Sequence, residues 1–196
     1  MEYTKRQIEI IVAATELIHH GGIQKLTTKA LAEKMGFSEP AIYRHFENKT
    51  DILVSVLRYY QLELKTKLDE ILRSDTKGSE KLEQIIAFQF RHFSEHPAIV
   101  MVIFAETSFQ YEEQLSSAVR DIMTNKKQLI IQVVDEGKKD GSIRQDIPSG
   151  QLATIFMGSL RFTVLDWRLS HFDDSLITKG AALAGTMQQL MKPHNS

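Results

Sequence analysis

The chain has no cysteine among its 196 residues. That absence excludes disulfide scaffolds, thiolate zinc sites and cysteine nucleophiles. It also has no long hydrophobic run: the longest unbroken apolar stretch, Ala98 to Ala105, falls far short of the roughly 18 to 20 residues that span a bilayer. The opening Met-Glu-Tyr-Thr-Lys-Arg lacks a secretory apolar segment, so a cytoplasmic protein without a membrane partner is expected. Neither sign of charge is in excess. The formal net charge is -1, with seven Lys/Arg against six Asp/Glu in residues 1–50 and 17 against 19 in the remainder. This balance argues against a wholesale nucleic-acid coat but leaves room for a local basic patch. Period-2 alternation, internal repeats, low-complexity tracts and sustained heptads are missing too, which removes sheet, solenoid and coiled-coil architectures.

What remains is helical periodicity, and 42% apolar composition is ample for a buried core. Ile10, Ala13, Ala14, Leu17 and Ile18 follow the i, i+3, i+4, i+7, i+8 template, predicting an amphipathic helix over about 4–20 that stops at Gly21-Gly22. Thr27 is a suitable N-cap for a second helix whose Thr28, Leu31, Ala32 and Met35 share a face, and Gly36 supplies a left-handed stop. Ser38 is placed to cap a third, with Pro40 tolerated in its first turn, Glu39 favourable at the positive helix end, and Ile42 and Phe46 pointing inward. Asn48 and Asp51 resemble a capping box at the start of a long helix to about Arg73, with Leu53, Val56, Leu57, Tyr60, Leu64 and Leu68 in register. Ser74 to Ser79 reads as a linker. Further helices are expected at about 79–94, 97–107, 111–138, 149–170 and 174–191.

The second and third helices, separated by one glycine turn, have the shape of a helix-turn-helix. In that arrangement one helix stands in the major groove while the other crosses the phosphate backbone, so double-stranded DNA is the expected partner. The fold class is therefore all-α. Residues 1–50 are expected to form a helix-turn-helix DNA-binding domain and residues 51–196 a second, helical domain.

Ala13-Ala14, Leu17-Ile18, Gly22, Thr27-Thr28, Leu31-Ala32, Gly36-Phe37-Ser38, Ile42-Tyr43, His45-Phe46, Lys49 and Leu53 together resemble the TetR family of bacterial transcriptional regulators. The resemblance covers the first 57 residues; residues 58–196 carry no comparably specific motif. It implies an all-helical homodimeric repressor, bound to a palindromic operator and released by a small effector held in the C-terminal half, which makes residues 51–196 the effector-binding and dimerisation domain. Carried over position by position, it assigns Thr28 and Lys29 to phosphate or a groove edge. It assigns Tyr43, His45 and Lys49 to phosphate, and Glu39, Pro40, Ala41 and Arg44 to the groove. An arginine takes guanine O6 and N7 bidentately, a carboxylate accepts from cytosine N4, and Pro40 and Ala41 offer apolar contact to a thymine methyl. Glu39 departs from the neutral residue common there. It serves equally as an acid balancing the helix dipole and repelling nonspecific phosphate.

Dimerisation has a physical argument of its own. Gly158 and Ser159 lie among Leu152, Ile155 and Phe156, and Gly180, Ala181, Ala184 and Gly185 lie among Leu183, Met187 and Leu190. Small residues among large ones let helices approach closely, so the last two long helices of two copies can make a four-helix bundle; the same faces could instead serve the monomer core. An apolar effector site is expected from Phe88, His92, Phe104, Arg161 and Trp167, with Phe90, Phe93, Met101, Phe109, Tyr111 and Phe156 as further aromatic and apolar surface. Stripes of this kind are more often packing than pocket.

Other functions have less support. His92 and His96 stand four apart, a metal-compatible spacing near Glu95 and Glu106, but Pro97 follows at once, and histidines at a helix end are ordinarily satisfied by carbonyls and the dipole. No metal site and no cofactor are expected. Glu136 to Gly141 lacks Walker spacing, and no local nucleophile motif is present, so an enzyme is not expected. The alternative within DNA binding is an architectural or interaction protein that senses no ligand.

Overall fold

The structure is a computed structural model and describes residues 3–104 and 113–193, apart from the side chain of Glu63. Every regular element among the described residues is helical: α1 (Lys5–Gly21), a single 3-10 turn (Ile23–Lys25), α2 (Thr28–Met35), α3 (Glu39–Tyr43), α4 (Lys49–Arg73), α5 (Gly78–Glu95), α6 (Pro97–Ile103), α7 (Glu113–Lys139), α8 (Ser149–Leu169) and α9 (Leu176–Met191). No helix among these residues is long and apolar enough to cross a membrane. The chain forms two compact units. One comprises the stretch up to Glu63 with α6 and the start of α7; the other comprises Leu64–Glu95 and everything from Asp121 onward. The single helix α4 contributes to both.

In the first unit, α1 starts at a capping box: Thr4 N–H donates to Gln7 Oε1 (3.0 Å) while Gln7 N–H donates to Thr4 Oγ1 (3.3 Å). Its buried face, Ile10, Ile11, Ala14 and Ile18, meets Leu26, Leu31, Ala32, Ile42, Phe46, Leu53, Val56 and Leu57 in one core, each large side chain contributing about 1.5–3 kcal/mol of burial. α6 adds Ala98, Ile99, Val100 and Val102 against α1. Pro97 therefore opens a helix as well as closing the one before it.

In the second unit α5 packs mainly on α9, and α8 packs on α9 as well. Gly180 lets α9 lie close against α5, since a Cβ there would stand 2.5 Å from the Phe90 ring. Phe90, Phe156, Ile85, Ile130, Val133 and Ile143 are wholly buried. Lys81 is buried with them, its ammonium donating to Glu136 Oε2 and to the Leu72 carbonyl, both at 2.9 Å. The α8–α9 corner is pinned by Trp167, whose Nε1–H donates to the Asp174 carbonyl (2.7 Å) and whose ring meets Phe172 edge-on with centroids 4.6 Å apart. His171 (φ 56°) and Phe172 (φ 65°) are left-handed without being glycine, a backbone strain that the Trp167 contact helps to hold.

Candidate functional site

The helix-turn-helix is built by three local devices. Thr27 Oγ1 accepts the Ala30 N–H (3.0 Å) and starts α2. Gly36 ends it in the left-handed region (φ 67°, ψ 32°), with Phe37 N–H returning to the Ala32 carbonyl at 2.8 Å. Only glycine adopts that backbone without strain, so the turn angle is set by one residue. Ser38 stands at the N-cap of α3 in extended conformation, but its side chain makes no capping bond, contrary to the expectation from sequence. The start of α4 also differs in detail. Asp51 N–H donates to Asn48 Oδ1 (2.9 Å) as expected, yet the returning bond comes from Glu47 N–H to Asp51 Oδ2 (3.1 Å), one residue farther back than a capping box requires.

α3 is only five residues long and shows its polar side to solvent. Ile42 and Phe46 are buried, and Tyr43 is 50% exposed. The two aromatics one helical turn apart thus divide their roles, one packing and one facing outward. Glu39, Pro40, Arg44 and Lys29 are exposed, and Thr28, Ala41 and His45 are half-buried. Tyr43 Oη donates to Thr28 Oγ1 at 3.3 Å and ties α3 to α2. Lys49 is half-buried, and burial lowers its pKa from the ordinary lysine value. Its ammonium donates to the Ile23 carbonyl at 3.1 Å, which leaves two of its three N–H donors for another acceptor.

Two residues that sequence reasoning passed over hold this head together. Gln7, already in the α1 cap, uses its Nε2–H to donate to the His45 carbonyl at 3.3 Å, which joins the start of α1 to the residue after Arg44. Arg6 lays its guanidinium 4.9 Å from the centroid of Phe37, inside the turn. The Thr-x-x-Gln spacing gave a signal for the cap but none for the distant bond.

The effector candidates are less united. Phe88, His92, Arg161 and Trp167 belong to the second unit and Phe104 to the first. His92 is buried beside Phe88 and Phe93, with ring centroids 6.3 Å away in both cases; Phe88 and Arg161 are half-buried. Trp167 is committed to the α8–α9 corner. Phe109 and Tyr111 lie outside the described residues. His96 sits at the N-cap position of α6 with its ring 5.0 Å from that of Tyr60. Among the described residues, no group of three or more His, Asp or Glu side chains is placed to hold a metal ion.

The dimer candidates separate into two sets. Gly180, Ala184 and Met187 are buried in the chain's own core, whereas Gly158, Ala181 and Gly185 are exposed, with open space beside both glycines. Around them stand large apolar side chains with no cover: Phe162 is 70% exposed, Leu169 67%, and Ile155, Ile177 and Leu190 about half.

Against this geometry, the model of bacterial regulatory proteins of the tetR family matches residues 10–56, and the model of the C-terminal region of YsiA-like proteins matches residues 60–190. The chain belongs to the TetR family. It is a transcriptional regulator with a DNA-binding helix-turn-helix, and the family is not one of enzymes. Among TetR-family relatives, the fatty acid metabolism regulator protein of Bacillus subtilis is 22% identical over 95% of this chain and 93% of its own length. The HTH-type transcriptional repressor KstR2 of Rhodococcus jostii is 24% identical over 97% and 93%. The crystal structure of FadR from Bacillus subtilis in complex with stearoyl-CoA shares the fold at a TM-score of 0.77 and 21% identity, covering 93% of this chain and 96% of that one.

The exposed Arg44 at the end of α3 and the anchored Lys49 are expected to behave differently on mutation. Arg44→Ala relaxes preference at one base pair at a loss of about 1–3 kcal/mol, whereas Lys49→Ala weakens binding to every sequence and lowers the salt slope by about one. Anisotropy titrations of a set of single-base operator variants at several salt concentrations separate the two; a uniform loss for Arg44→Ala would make it a backbone contact.

Proposed function

We propose that this TetR-family regulator is a cytoplasmic homodimeric repressor. Residues 1–50 read a palindromic operator, and residues 51–196 hold the dimer and bind a small apolar effector that releases the DNA. The observation that carries the reading is the short helix α3, buried through Ile42 alone and exposing Glu39, Pro40 and Tyr43, with Arg44 exposed at its C-terminal cap. A helix so placed is free to enter a groove with its phosphate-facing neighbours Thr28, Lys29, His45 and Lys49 around it.

Dimerisation is supported by the uncovered row on α8. Ile155, Phe162 and Leu169 are spaced by seven residues on one side of the helix, opposite buried Leu152, Phe156, Leu160 and Val164. Exposed Gly158 and Gly185 would let the partner's helices approach closely. The effector reading draws on the kinship with a fatty acid regulator and on a FadR structure that holds stearoyl-CoA; Phe88, His92 and Arg161 are the proposed lining of the site in this chain. Release would follow from a change in the pose of α4, which belongs to both units and alters the separation of the two heads.

The test measures thermal stability and operator binding of the full chain together, titrated with long-chain acyl compounds. Release requires a compound that raises Tm to weaken operator binding as well, and linkage then requires the operator to weaken binding of the compound by the same factor. Stabilisation with unchanged operator affinity would contradict release. Operator binding with no response of either kind would favour a regulator that senses no ligand.

A further inference from the structure

Lys126 on α7 is an anomaly that the DNA-binding reading leaves unused. The residue retains some exposure, but its ammonium is turned inward and donates to the side-chain carbonyl of Gln89 on α5. Gln89 and His92, one helical turn apart on α5, are 8% and 7% exposed. Burial lowers the lysine pKa from 10.5 to about 7, with no charged group contributing. The charged residues near it on α7, Arg120, Asp121 and Lys127, are exposed, and on α5 the buried titratable side chain next to Gln89 is His92.

An amine in these surroundings has desolvation without full compensation: an amide oxygen returns only part of what water gave, and among the described residues no carboxylate supplies the rest. Lys81, the buried lysine of α5, shows the contrast, since it has Glu136 and a backbone carbonyl as partners. A desolvated cation is what an anion entering an apolar site requires.

We propose that Lys126, with Gln89 beside it, is the anion-binding end of the effector site, and that the effector is an amphiphile whose carboxylate or phosphate replaces the Gln89 carbonyl as partner of the ammonium. The proposal rests on the effector reading above and adds the charge class of the ligand. Two consequences follow. Above pH 7 the free protein holds the amine largely neutral, so anion binding takes up a proton. In the free protein the folded pKa lies below the unfolded one, so between about pH 7 and 10.5 the unfolded chain binds more protons and stability rises with pH.

The test titrates the full chain and its Lys126→Met and Lys126→Arg variants with hexadecanoate, hexadecanoyl-CoA and neutral hexadecanol, by calorimetry at pH 8 in buffers of different ionisation heat. Expected are a loss of at least tenfold in anion affinity for Lys126→Met and substantial retention for Lys126→Arg. Hexadecanol affinity stays unchanged, and proton uptake is seen with the wild type only. Dependence confined to hexadecanoate identifies a carboxylate, and dependence confined to hexadecanoyl-CoA identifies phosphate; either supports the proposal. Without ligand, Lys126→Met is expected to raise Tm at pH 7 and to remove the rise in stability toward pH 10. Equal anion affinity in wild type and Lys126→Met, or a lower Tm for Lys126→Met, overturns the anchor while leaving an apolar effector site in place. If no probe binds the wild type or releases its operator, both readings fall together.

Discussion

A chain carrying Phe162→Glu and Leu169→Glu is expected to be a folded monomer with at least a hundredfold lower affinity for its operator. Both side chains project from the uncovered side of α8, more than two-thirds of their surface in water, so removing them takes little from the fold of one chain. Their value lies in burial against a second copy, about 1.5–3 kcal/mol for each large apolar side chain. A two-fold interface counts every substitution twice and brings the new carboxylates toward one another. Operator affinity falls because two linked heads bind with a local concentration that a single head lacks. Sedimentation gives the mass, circular dichroism the helicity, and anisotropy the affinity. A dimeric mass for the double variant would place the interface elsewhere.

The second large effect concerns stability. Gly78→Ala is expected to destabilise the chain by about 3 kcal/mol, at the upper end of what overpacking costs. A Cβ at Gly78 would stand 2.3 Å from Gly137 Cα, 2.4 Å from Gly137 N and 2.8 Å from the Val133 carbonyl. These are backbone atoms of α7, and no rotamer change relieves the contact. The same approach allows Gly78 N–H to donate to Asp140 Oδ2 (2.7 Å) and Ser79 N–H to Ser142 Oγ (3.1 Å), which cap α5 from the far end of α7. Gly150→Ala is the control: it lies in the first turn of α8 in open space, away from the row that the dimer reading uses, so it should cost nothing and gain up to about 1 kcal/mol from helix propensity. Chemical denaturation of both variants measures the difference, and a Gly78→Ala chain as stable as wild type would contradict the packing.

These two glycines show what periodicity can and cannot convey. The sequence marks Gly78 as part of a linker, because Ser-Asp-Thr-Lys-Gly-Ser has turn composition; that it is the contact point of two helices depends on a segment 59 residues away, and no local pattern encodes such a meeting. Small residues on α9 are similarly ambiguous. Gly180 and Gly185 look alike in sequence, yet one receives the Phe90 ring and the other faces open space. The head was far more legible. Thr27, Gly36, Ile42 and Phe46 act through hydrogen bonds and burial within a few residues, so their roles can be read from spacing alone. Lys126 gave no signal, since a lysine in an amphipathic helix reads as surface until a neighbouring helix removes its water. Trp167 shows a different limit: its aromatic character suggested a ligand contact, and no local pattern announced that its indole N–H closes a strained corner.

Selection of bound duplexes from a random pool by the full chain tests the proposed mode of DNA reading most directly. Two inverted half-sites should emerge, their centres about 34–36 Å apart or a multiple of that spacing, and Arg44→Ala should relax one position symmetrically in both halves. Recovery of a lone asymmetric site, or of no preferred sequence, would contradict a paired α3 as the reader of DNA.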